Sequence, residues 1–584
     1  MEIPDIGFDA LGSGWLAIVI ALPLSFLVSW LLLALYVRSV VGAMARASGT
    51  MPRASGTTPN APASPTANDV APLRPLDVIT MDAAALAGDS RAVRRMWAGA
   101  LVHVAAGLVF AAVLSVAFMS AMGLRFDLRA ALLGAVMYSW PVAIVTAMLA
   151  ATTWQGVARV IVMLGLATAG VLGAVTAGTP VSAGAMAALW WSTNAEPTLL
   201  VMACLARPVR AAGPLVALLT FAAVLGAIYG IFAIYNSDVA LSALSRLYDT
   251  LGLPLWAVLA VALLAGAIPF AIAAWGLLRR IGAAYRARAI SDQSINVDAV
   301  ILIFAISYGL GLSAQGALWL AVPLIAVAVY RAVLIAGYRL IAARLDRRQK
   351  PPDLLLLRVF SLGGRSEALF DAVAKPWRSL GTLSLIAGPD LARATVAPHE
   401  FLEFLSGRLA RRFISSPAEF DARLAESAGP AGLAVDASAR DPDLRYRATS
   451  FYCHDDTWRG VLAGLARRSD VVLMDLRGFT AAARGCAYEI DELFDLVALA
   501  RIVFIIDSST KRSALDAEIA RAWSGLDPAS PNRTDAAPEL ILVRLETLDE
   551  ASVHHLVGAL ARRSAGPGPE VATRARLFSR QGDT

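Results

Sequence analysis

The stretch that decides the fold of the C-terminal part runs Asp470-Val-Val-Leu-Met-Asp475-Leu-Arg-Gly-Phe-Thr-Ala-Ala-Ala-Arg-Gly485-Cys-Ala-Tyr-Glu489. Its first residues are almost continuously apolar, which indicates a strand that a parallel sheet covers on both faces. A loop follows, and a helix is predicted to begin near Gly485. The order strand, loop, helix predicts that Asp475 and Glu489 lie near the carboxyl edge of the sheet, where such sheets bind ligands.

Short apolar runs alternate with helical patterns on both sides of this stretch. Strands are predicted at 354–360, 382–387, 446–452, 470–476, 501–506 and 539–544. Helices are predicted at 366–378, 399–413, 455–468, 485–498, 511–523 and 548–562. This alternation predicts an α/β domain with a doubly wound parallel sheet over residues 352–564. We expect a less regular insertion at 414–445 and a disordered tail at 565–584.

The chain before this domain is far more apolar. Hydrophobic residues make up 57% of the sequence and charged residues only 16%. A run of roughly 20 apolar residues is long enough to cross a bilayer as a helix. We expect about nine spans, two of them from one long run that turns at Gly311–Gly316. The runs lie at 13–37, 97–121, 130–151, 157–178, 183–206, 214–235, 253–278 and 298–338.

These runs predict the organisation of the N-terminal part. Residues 1–43 hold a first transmembrane helix, 44–96 a largely flexible cytosolic linker and 97–340 an all-α transmembrane bundle. Residues 77–95 of the linker are mixed in character and are interpreted as a short amphipathic helix. Arginines cluster at alternate ends of the runs, and this bias predicts an N-terminus outside and a C-terminal domain in the cytosol. The lipid bilayer is therefore an expected partner.

Charge and cysteine content argue against several other functions. The net charge is +6 with no dense basic block, so we expect no nucleic-acid partner. Cys204, Cys453 and Cys486 are scattered, as are the five histidines. This spacing fits neither a disulfide framework nor a metal site, and we expect no metal.

One predicted span carries polar residues at its centre, Trp190-Trp-Ser-Thr-Asn194-Ala-Glu196-Pro197. A carboxylate at this depth is costly and usually faces the interior of a helix bundle. Pro197 removes a backbone donor and is expected to break the helix there. Asn194 and Glu196 are therefore a candidate substrate or proton site. The alternative is a protonated Glu196 bonded to a neighbouring helix, or a segment that lies at the membrane interface.

Two more loops lie at the predicted ligand edge of the sheet. In Ser361-Leu-Gly363-Gly364-Arg365 the glycines permit close backbone approach and Arg365 suits a phosphate. The alternative is an ordinary turn. In the loop after residue 387, Asp390 is suited to a ribose hydroxyl or, as the alternative, to capping the next helix.

Asp475 and Glu489 would place two carboxylates near one pocket. A carboxylate in such a position can attack an anomeric carbon, or stabilise an oxocarbenium ion as a base leaves a sugar. The alternative is structural, with Glu489 complementing a helix dipole and Asp475 capping the loop.

Trp458, the run 469–475 and Gly485-Cys-Ala-Tyr-Glu489 resemble the core pattern of the nucleoside deoxyribosyltransferase and Toll/interleukin-receptor (TIR) superfamily. The resemblance implies a flavodoxin/TIR-like domain with Glu489 at the position of the catalytic glutamate. Members of these families cleave or exchange N-glycosidic bonds in nucleosides or NAD, bind nucleotides, or assemble with like domains. The loop that usually follows the second strand is not recognisable here. The whole layout resembles bacterial multi-pass inner-membrane proteins with such a C-terminal domain.

Three hypotheses about function follow from the sequence. The first is a membrane-anchored signalling protein that binds a nucleotide or NAD. If the protein is an enzyme, it would cleave this ligand. No other cofactor is expected. Glu489 would act at the ribose, Asp475 would orient it, and Arg365 would contact phosphate. The second is a transporter or channel built around Glu196 and regulated by the cytosolic domain. The third is a non-enzymatic scaffold whose TIR-like domain self-associates into a homo-oligomer.

Overall fold

The computed structural model describes most of the chain. The described residues are 10–45, 73–86, 88, 90–121, 123, 127–177, 182–205, 209, 212–252, 254–313, 319, 321–344, 351–358, 364–387, 398–408, 413–428, 440–454 and 456–565. Within these ranges the N-terminal part is mostly helical, and the C-terminal part combines helices with a parallel sheet.

The N-terminal part folds into a series of apolar helices. They are α1 (Ala10–Met44), α2 (Ser90–Ala121), α3 (Leu128–Tyr138), α4 (Trp140–Ala150), α5 (Trp154–Thr176), α6 (Ala183–Cys204), α7 (Gly213–Tyr235), α8 (Asp238–Leu251), α9 (Leu255–Arg286), α10 (Asp292–Ser313) and α11 (Ala321–Arg344). The described residues of the apolar runs predicted above are almost all helical, with one break between α3 and α4. The longest run is divided as expected. Helix α10 ends at Ser313, within the predicted turn at Gly311–Gly316, and α11 begins at Ala321.

Among the described residues, five helices are long and apolar enough to cross a membrane, or six if α3 and α4 form one span bent by 49°. Their outer surfaces are apolar as well. On α5, for example, Val162, Met163 and Leu166 are 59%, 69% and 69% exposed. A bilayer covers such surfaces, whereas water would not tolerate so many of them together. The chain is therefore a membrane protein, while nine spans and an outside N-terminus stay predictions.

The C-terminal part is built on an eight-stranded, all-parallel sheet in the order β1-β8-β7-β6-β2-β3-β5-β4. The strands are β1 (Asp77–Asp82), β2 (Asp353–Arg358), β3 (Thr382–Ala387), β4 (Phe413–Ile414), β5 (Ala448–Cys453), β6 (Val471–Asp475), β7 (Ile502–Ile506) and β8 (Glu539–Arg544). The helices are α12 (Gly364–Trp377), α13 (Pro398–Leu405), α14 (Pro417–Ala428), α15 (Trp458–Arg468), α16 (Arg484–Leu496), α17 (Arg512–Ser524) and α18 (Glu550–Ser564). Each strand and helix predicted for this domain has a counterpart among these elements, although some of the predicted bounds differ.

Helices cover both faces of the sheet. Leu355 and Leu357 of β2 pack with α15, α16 and α17 on one face, and Leu354 and Leu356 pack with α12 and α18 on the other. Each of these side chains is at most 3% exposed, and burying a leucine contributes about 1.5–3 kcal/mol. The nearly continuous apolar runs in the sequence are thus explained by burial on two sides.

The edge strand β1 corrects the prediction of a short amphipathic helix over residues 77–95. Residues 77–82 instead pair in parallel with β8, from Asp77 opposite Glu539 to Asp82 opposite Arg544. Leu76 and Val78 pack against the core of the domain. Helix α2 begins only at residue 90. A tertiary partner explains the error, because β8 offers unpaired backbone groups that a local helix could not use.

Two details in and before the predicted insertion also differ from the prediction. Helix α13 ends at residue 405 rather than 413, because Gly407 adopts a left-handed conformation (φ 70°) and closes the helix end. Residues 414–445 were predicted to be irregular, yet 417–428 form α14. The strand β4 pairs with β5 and extends the sheet edge.

The sheet has one topological switch point that matters for ligands. From β2 the chain goes to β3 on one side, and β6 lies on the other side of β2. The helices that follow these two strands, α12 and α16, pack on opposite faces of the sheet, and doubly wound sheets bind ligands at the carboxyl ends of strands that diverge in this way. We call this region the switch-point edge.

The domain packs directly on the helices of the N-terminal part. Near the end of α1, the hydroxyl of Tyr36 lies 2.7 Å from that of Tyr452 on β5. Leu402 of α13 packs with Leu278 of α9, and Phe401 packs with Val216 of α7. The short helix α13 therefore lies between the sheet and the bundle.

Candidate functional site

Charged residues end three neighbouring strands at the switch-point edge. Arg358 is the last residue of β2, Asp475 is the last residue of β6, and Asp507 follows β7 directly. The parallel register places Arg358 opposite Asp475. Because all strands run in one direction, these residues meet at the same edge of the sheet.

Asp475 is fully buried and its two carboxylate oxygens are both bonded. Arg477 donates from Nε to Oδ1 and from Nη2 to Oδ2, each at 2.8 Å. Ser366 in the first turn of α12 donates to Oδ2 at 2.9 Å. Two-pronged pairs of this kind are geometrically specific and hold their groups in place. In this structure Asp475 positions Arg477 and the start of α12.

Arg365 also lies in the first turn of α12, and about half of its side chain is exposed. Its guanidinium contacts the carboxylate of Asp507 and lies 3.3 Å from the hydroxyl of Ser509. Burial raises the pKa of Asp507, but hydrogen bonds from Ser509 and the guanidinium of Arg365 outweigh burial and leave that pKa below its usual value. Arg477 donates to the backbone carbonyl of Arg365 at 3.0 Å, which joins the two ion pairs.

Glu489 lies in the second turn of α16 and is only 3% exposed. Burial raises its pKa to about 8, although the nearby charge of Arg358 opposes the rise. Its Oε2 makes no hydrogen bond to any described residue. Cys486, one turn earlier, brings its thiol to 3.9 Å from the carbonyl oxygen of Arg358 and packs α16 on the end of β2. Glu489 is therefore mostly protonated at neutral pH in this structure.

The predicted ligand loops are only partly described. Gly363 and Asp390 lie outside the described residues, and Gly364 is the first residue of α12. Of the predicted site residues, the structure brings Arg365, Asp475 and Glu489 to one edge of the sheet. Two cavities lie at the boundary between the bundle and the α/β domain, and Glu489 lines neither of them.

Sequence reasoning missed three charged residues of this edge, Arg358, Arg477 and Asp507. A signal was present for two of them, because Arg358 ends the run of four leucines in β2 and Asp507 follows the apolar run of β7. A charged residue that closes a buried strand points to the ligand edge of a parallel sheet. Only Arg358 fell within a predicted strand, 354–360, and its position at the end of β2 was therefore not recognised.

The polar residues of α6 are arranged differently. The helix runs through Pro197, so the expected break is wrong; Pro197 is buried among neighbouring helices, which tolerate a lost backbone bond. The amide of Asn194 donates to the carbonyl of Met137 at 3.1 Å and accepts from the hydroxyl of Tyr308 at 2.7 Å. Glu196 is 6% exposed, and its carboxyl group makes no hydrogen bond or ion pair with another described residue. The side chain of Asn194 is therefore fully hydrogen-bonded, whereas Glu196 takes no part in this network.

In the described part of the chain, no group of three or more His, Cys, Asp or Glu side chains is arranged to hold a metal ion. Compared with protein-family models, curated proteins and solved structures, the sequence and fold match none of them. The geometry of the switch-point edge is therefore the basis on which a function is proposed.

Proposed function

We propose that this protein is a membrane-anchored sensor whose α/β domain binds a nucleotide-type ligand at the switch-point edge. One observation carries the proposal. Arg358, Asp475 and Asp507 end three neighbouring strands at the place where doubly wound sheets bind ligands. Burying an ion costs several kcal/mol, and Glu489, whose pKa responds to the charge of Arg358, keeps one oxygen without a hydrogen bond to any described residue.

The strand order supports the flavodoxin/TIR-like fold within this proposal. Without the added edge strands β1, β4 and β5, the order is β8-β7-β6-β2-β3. In chain order this is the arrangement 2-1-3-4-5 of flavodoxin-like sheets, which bind their ligand between the first and third strands. Those strands are β2 and β6 here, and both end at the switch-point edge.

The groups at this edge favour a ligand with a phosphate. Arg365 is half-exposed and stands in the first turn of α12, where the helix dipole also attracts an anion. A bound phosphate would share the guanidinium with Asp507. Arginine suits this role because its planar donors match the oxygens of a phosphate.

Binding is a stronger expectation than cleavage. A carboxylate that attacks an anomeric carbon, or stabilises an oxocarbenium ion, must be ionised and must reach the sugar. Glu489 has a pKa of about 8 and is almost fully buried. Cleavage of an N-glycosidic bond would therefore require the ligand to open this region and to lower the pKa of Glu489.

The remaining part of the proposal concerns the membrane. With the predicted topology the α/β domain lies in the cytosol, and it packs on the bundle through α13 and through the Tyr36–Tyr452 contact. A conformational change that a ligand causes at the switch-point edge can be transmitted to the bundle through these packed elements. The domain would thereby report a cytosolic ligand to the membrane part.

The test uses the full-length protein in detergent. Thermal shift and calorimetry would measure binding of NAD, ATP, AMP and nucleosides, and chromatography would detect products of cleavage. We expect a nucleotide with a phosphate to raise the melting temperature, since it binds the native state. Arg365→Ala should weaken this binding about tenfold or more, because it removes a charge-assisted contact.

A matched control is Arg467→Ala, on an exposed arginine at the end of α15, which leads to the opposite edge of the sheet. It should leave binding unchanged. If none of the nucleotides binds, or if both variants bind like the native protein, the site proposal is wrong. Products that appear with the native protein and disappear with Glu489→Gln would add catalysis to binding.

A second candidate function is transport across the membrane, which Glu196 favours because its carboxyl group has no partner among the described residues. A buried carboxyl group without a partner is costly in a helix bundle and marks substrate or proton pathways. Glu196→Gln should then abolish a proton-coupled flux in liposomes, while Asn194→Ala should only destabilise the bundle. Equal flux in the native protein and Glu196→Gln would exclude this role for Glu196.

A further inference from the structure

A cavity of about 210 Å³ lies between α9 and α13, where the bundle meets the α/β domain. Three arginines line it, Arg279 and Arg286 from α9 and Arg408 just after α13. All three side chains are exposed, and none forms an ion pair with another described residue. Among the described residues no Asp or Glu lines the cavity. The cavity therefore has an uncompensated positive charge.

An apolar stripe on α9 leads into this cavity. Leu264, Ile268, Ile272 and Trp275 are 55%, 50%, 67% and 43% exposed. Their spacing of three or four residues places them on one side of the helix, and Arg279 continues that side one turn later. Because α9 is one of the candidate spans, a bilayer would cover this stripe. Tryptophan is typical of the level where the hydrocarbon core meets the headgroups.

Apolar side chains line part of the cavity, and a glycine leaves space between its arginines. Leu402 and Leu405 of α13 line one side, and Leu278 of α9 packs with them. Gly282 lies between the two arginines of α9. A Cβ added to Gly282 would stand 3.6 Å from a terminal nitrogen of Arg286 and 3.9 Å from the Cβ of Leu402. One methyl group therefore fits, whereas a larger side chain would occupy the opening.

We propose that this cavity binds the phosphate-bearing headgroup of an anionic membrane lipid, with an acyl chain along the stripe of α9. The guanidinium groups of Arg279, Arg286 and Arg408 would hold the phosphate, to which arginine is geometrically matched. The adjoining stripe distinguishes a lipid from a free anion, since only a lipid has an apolar part to cover it. This site is separate from the switch-point edge and does not depend on the nucleotide proposal.

The experiment compares lipids retained by the purified full-length protein. Nanodiscs would contain phosphatidylcholine alone or with phosphatidylglycerol, and native mass spectrometry and thermal shift would report retention and stability. We expect phosphatidylglycerol to be retained and to raise the melting temperature. Each arginine near a membrane surface contributes about fivefold to the affinity for anionic lipid, so the double variant Arg279→Gln/Arg286→Gln should bind about 30-fold more weakly.

Two further variants test the cavity itself. Gly282→Leu keeps every charge but fills the opening, and it should lose retention of phosphatidylglycerol as well. Arg280→Gln removes a neighbouring exposed arginine that does not line the cavity, and it should lose less than about fivefold. Size-exclusion chromatography would confirm that each variant is folded.

Three outcomes would overturn the proposal. Retention by the double variant equal to that of the native protein would exclude the arginines as a headgroup site. Unchanged retention by Gly282→Leu would show general surface attraction instead of binding in the cavity. If inorganic phosphate raises the melting temperature as much as phosphatidylglycerol does, and the double variant abolishes both effects, the site takes a free anion and the lipid assignment is wrong.

Discussion

Two regions of this protein bury charged residues, and they differ in how the charges are compensated. At the boundary between bundle and α/β domain, Arg447 donates to both oxygens of Asp441 at 2.8 and 3.0 Å. The same guanidinium stacks 3.8 Å above the ring of Tyr285 on α9. At the switch-point edge Arg477 pairs with Asp475 in the same way, but Oε2 of the buried Glu489 makes no hydrogen bond to a described residue.

Further pairs continue the pattern at the boundary. Asp292, at the start of α10, lies 3.1 Å from Arg378 and 2.6 Å from His399. The ring of His399 stacks on that of Tyr285 at 4.5 Å. These side chains come from both parts of the chain, so the ion pairs join the bundle to the domain.

The difference shows which buried charges maintain the architecture. A buried pair is expensive to form but strongly destabilising to break, so it fixes one geometry. A buried carboxyl group with a raised pKa and a free oxygen is costly in the resting protein. Groups of that kind are concentrated at functional sites, where a ligand can supply the partner. The paired charges at the boundary accordingly maintain the architecture, and the switch-point edge is the region that we propose for binding.

The largest effect is expected when the boundary is removed entirely. A fragment of residues 352–564 lacks the bundle and the edge strand β1. It would expose the unpaired backbone of β8 and apolar residues that now face the bundle, such as Phe401. We expect this fragment to aggregate or to remain partly unfolded, because open strand edges and apolar patches associate. Size-exclusion chromatography and circular dichroism would measure the outcome.

A fused version of the fragment separates the two causes. Residues 73–86 joined through a flexible linker would restore β1 and its pairing with β8, together with the bond from Trp523 to the carbonyl of Arg74 at 2.9 Å. We expect the fused version to be more soluble than the fragment alone. A monomeric, cooperatively folded fragment without residues 73–86 would show that the α/β domain is independent of both regions.

The discontinuous domain also shows where sequence reasoning reaches its limit. The strands from β2 to β8 were predictable, apart from the two-residue β4, because burial on both faces leaves continuous apolar runs. The strand β1 was not, because its partner lies more than 400 residues away in sequence and its own pattern is mixed. The same limit applies to the site: Glu489 and Asp475 could be named from their positions, whereas the partner of Asp475, Arg477, is defined only by the fold.

A smaller effect is expected from breaking one pair at the boundary. Arg447→Leu would remove the bonds to Asp441, the stacking on Tyr285 and a 2.7 Å bond to the carbonyl of Tyr285. Asp441 would remain buried without its cation, which should cost about 3–5 kcal/mol of the free energy of unfolding. Denaturant unfolding of the full-length protein in detergent would measure the loss.

The matched control for this variant is Arg521→Leu. Arg521 also pairs with two carboxylates, Asp491 and Glu518, but its side chain is 54% exposed. Exposed pairs contribute at most about 1 kcal/mol. If the two leucine variants lose equal stability, the ion pairs at the boundary do not hold the domain to the bundle.

The smallest effect, of opposite sign, is expected at the switch-point edge. The pKa of Glu489 rises from an ordinary 4.5 to about 8 in the folded protein. Between these pH values the unfolded chain releases this proton and the folded protein keeps it, so the stability of the native protein should fall as pH rises. Glu489→Gln mimics the protonated form, removes this dependence and should gain up to about 3 kcal/mol at pH 7.

Stability measured from pH 5 to pH 8, with Glu492→Gln as the control on the same helix, would decide this. Glu492 is partly exposed on α16, and its variant should keep the slope of the native protein. A gain in stability at Glu489 that comes with a loss of ligand binding would identify the carboxyl group as one kept for function at the expense of the fold. A loss of stability in Glu489→Gln at neutral pH would mean instead that the ionised carboxylate pairs with Arg358. The buried charges at the switch-point edge would then be paired, as they are at the boundary.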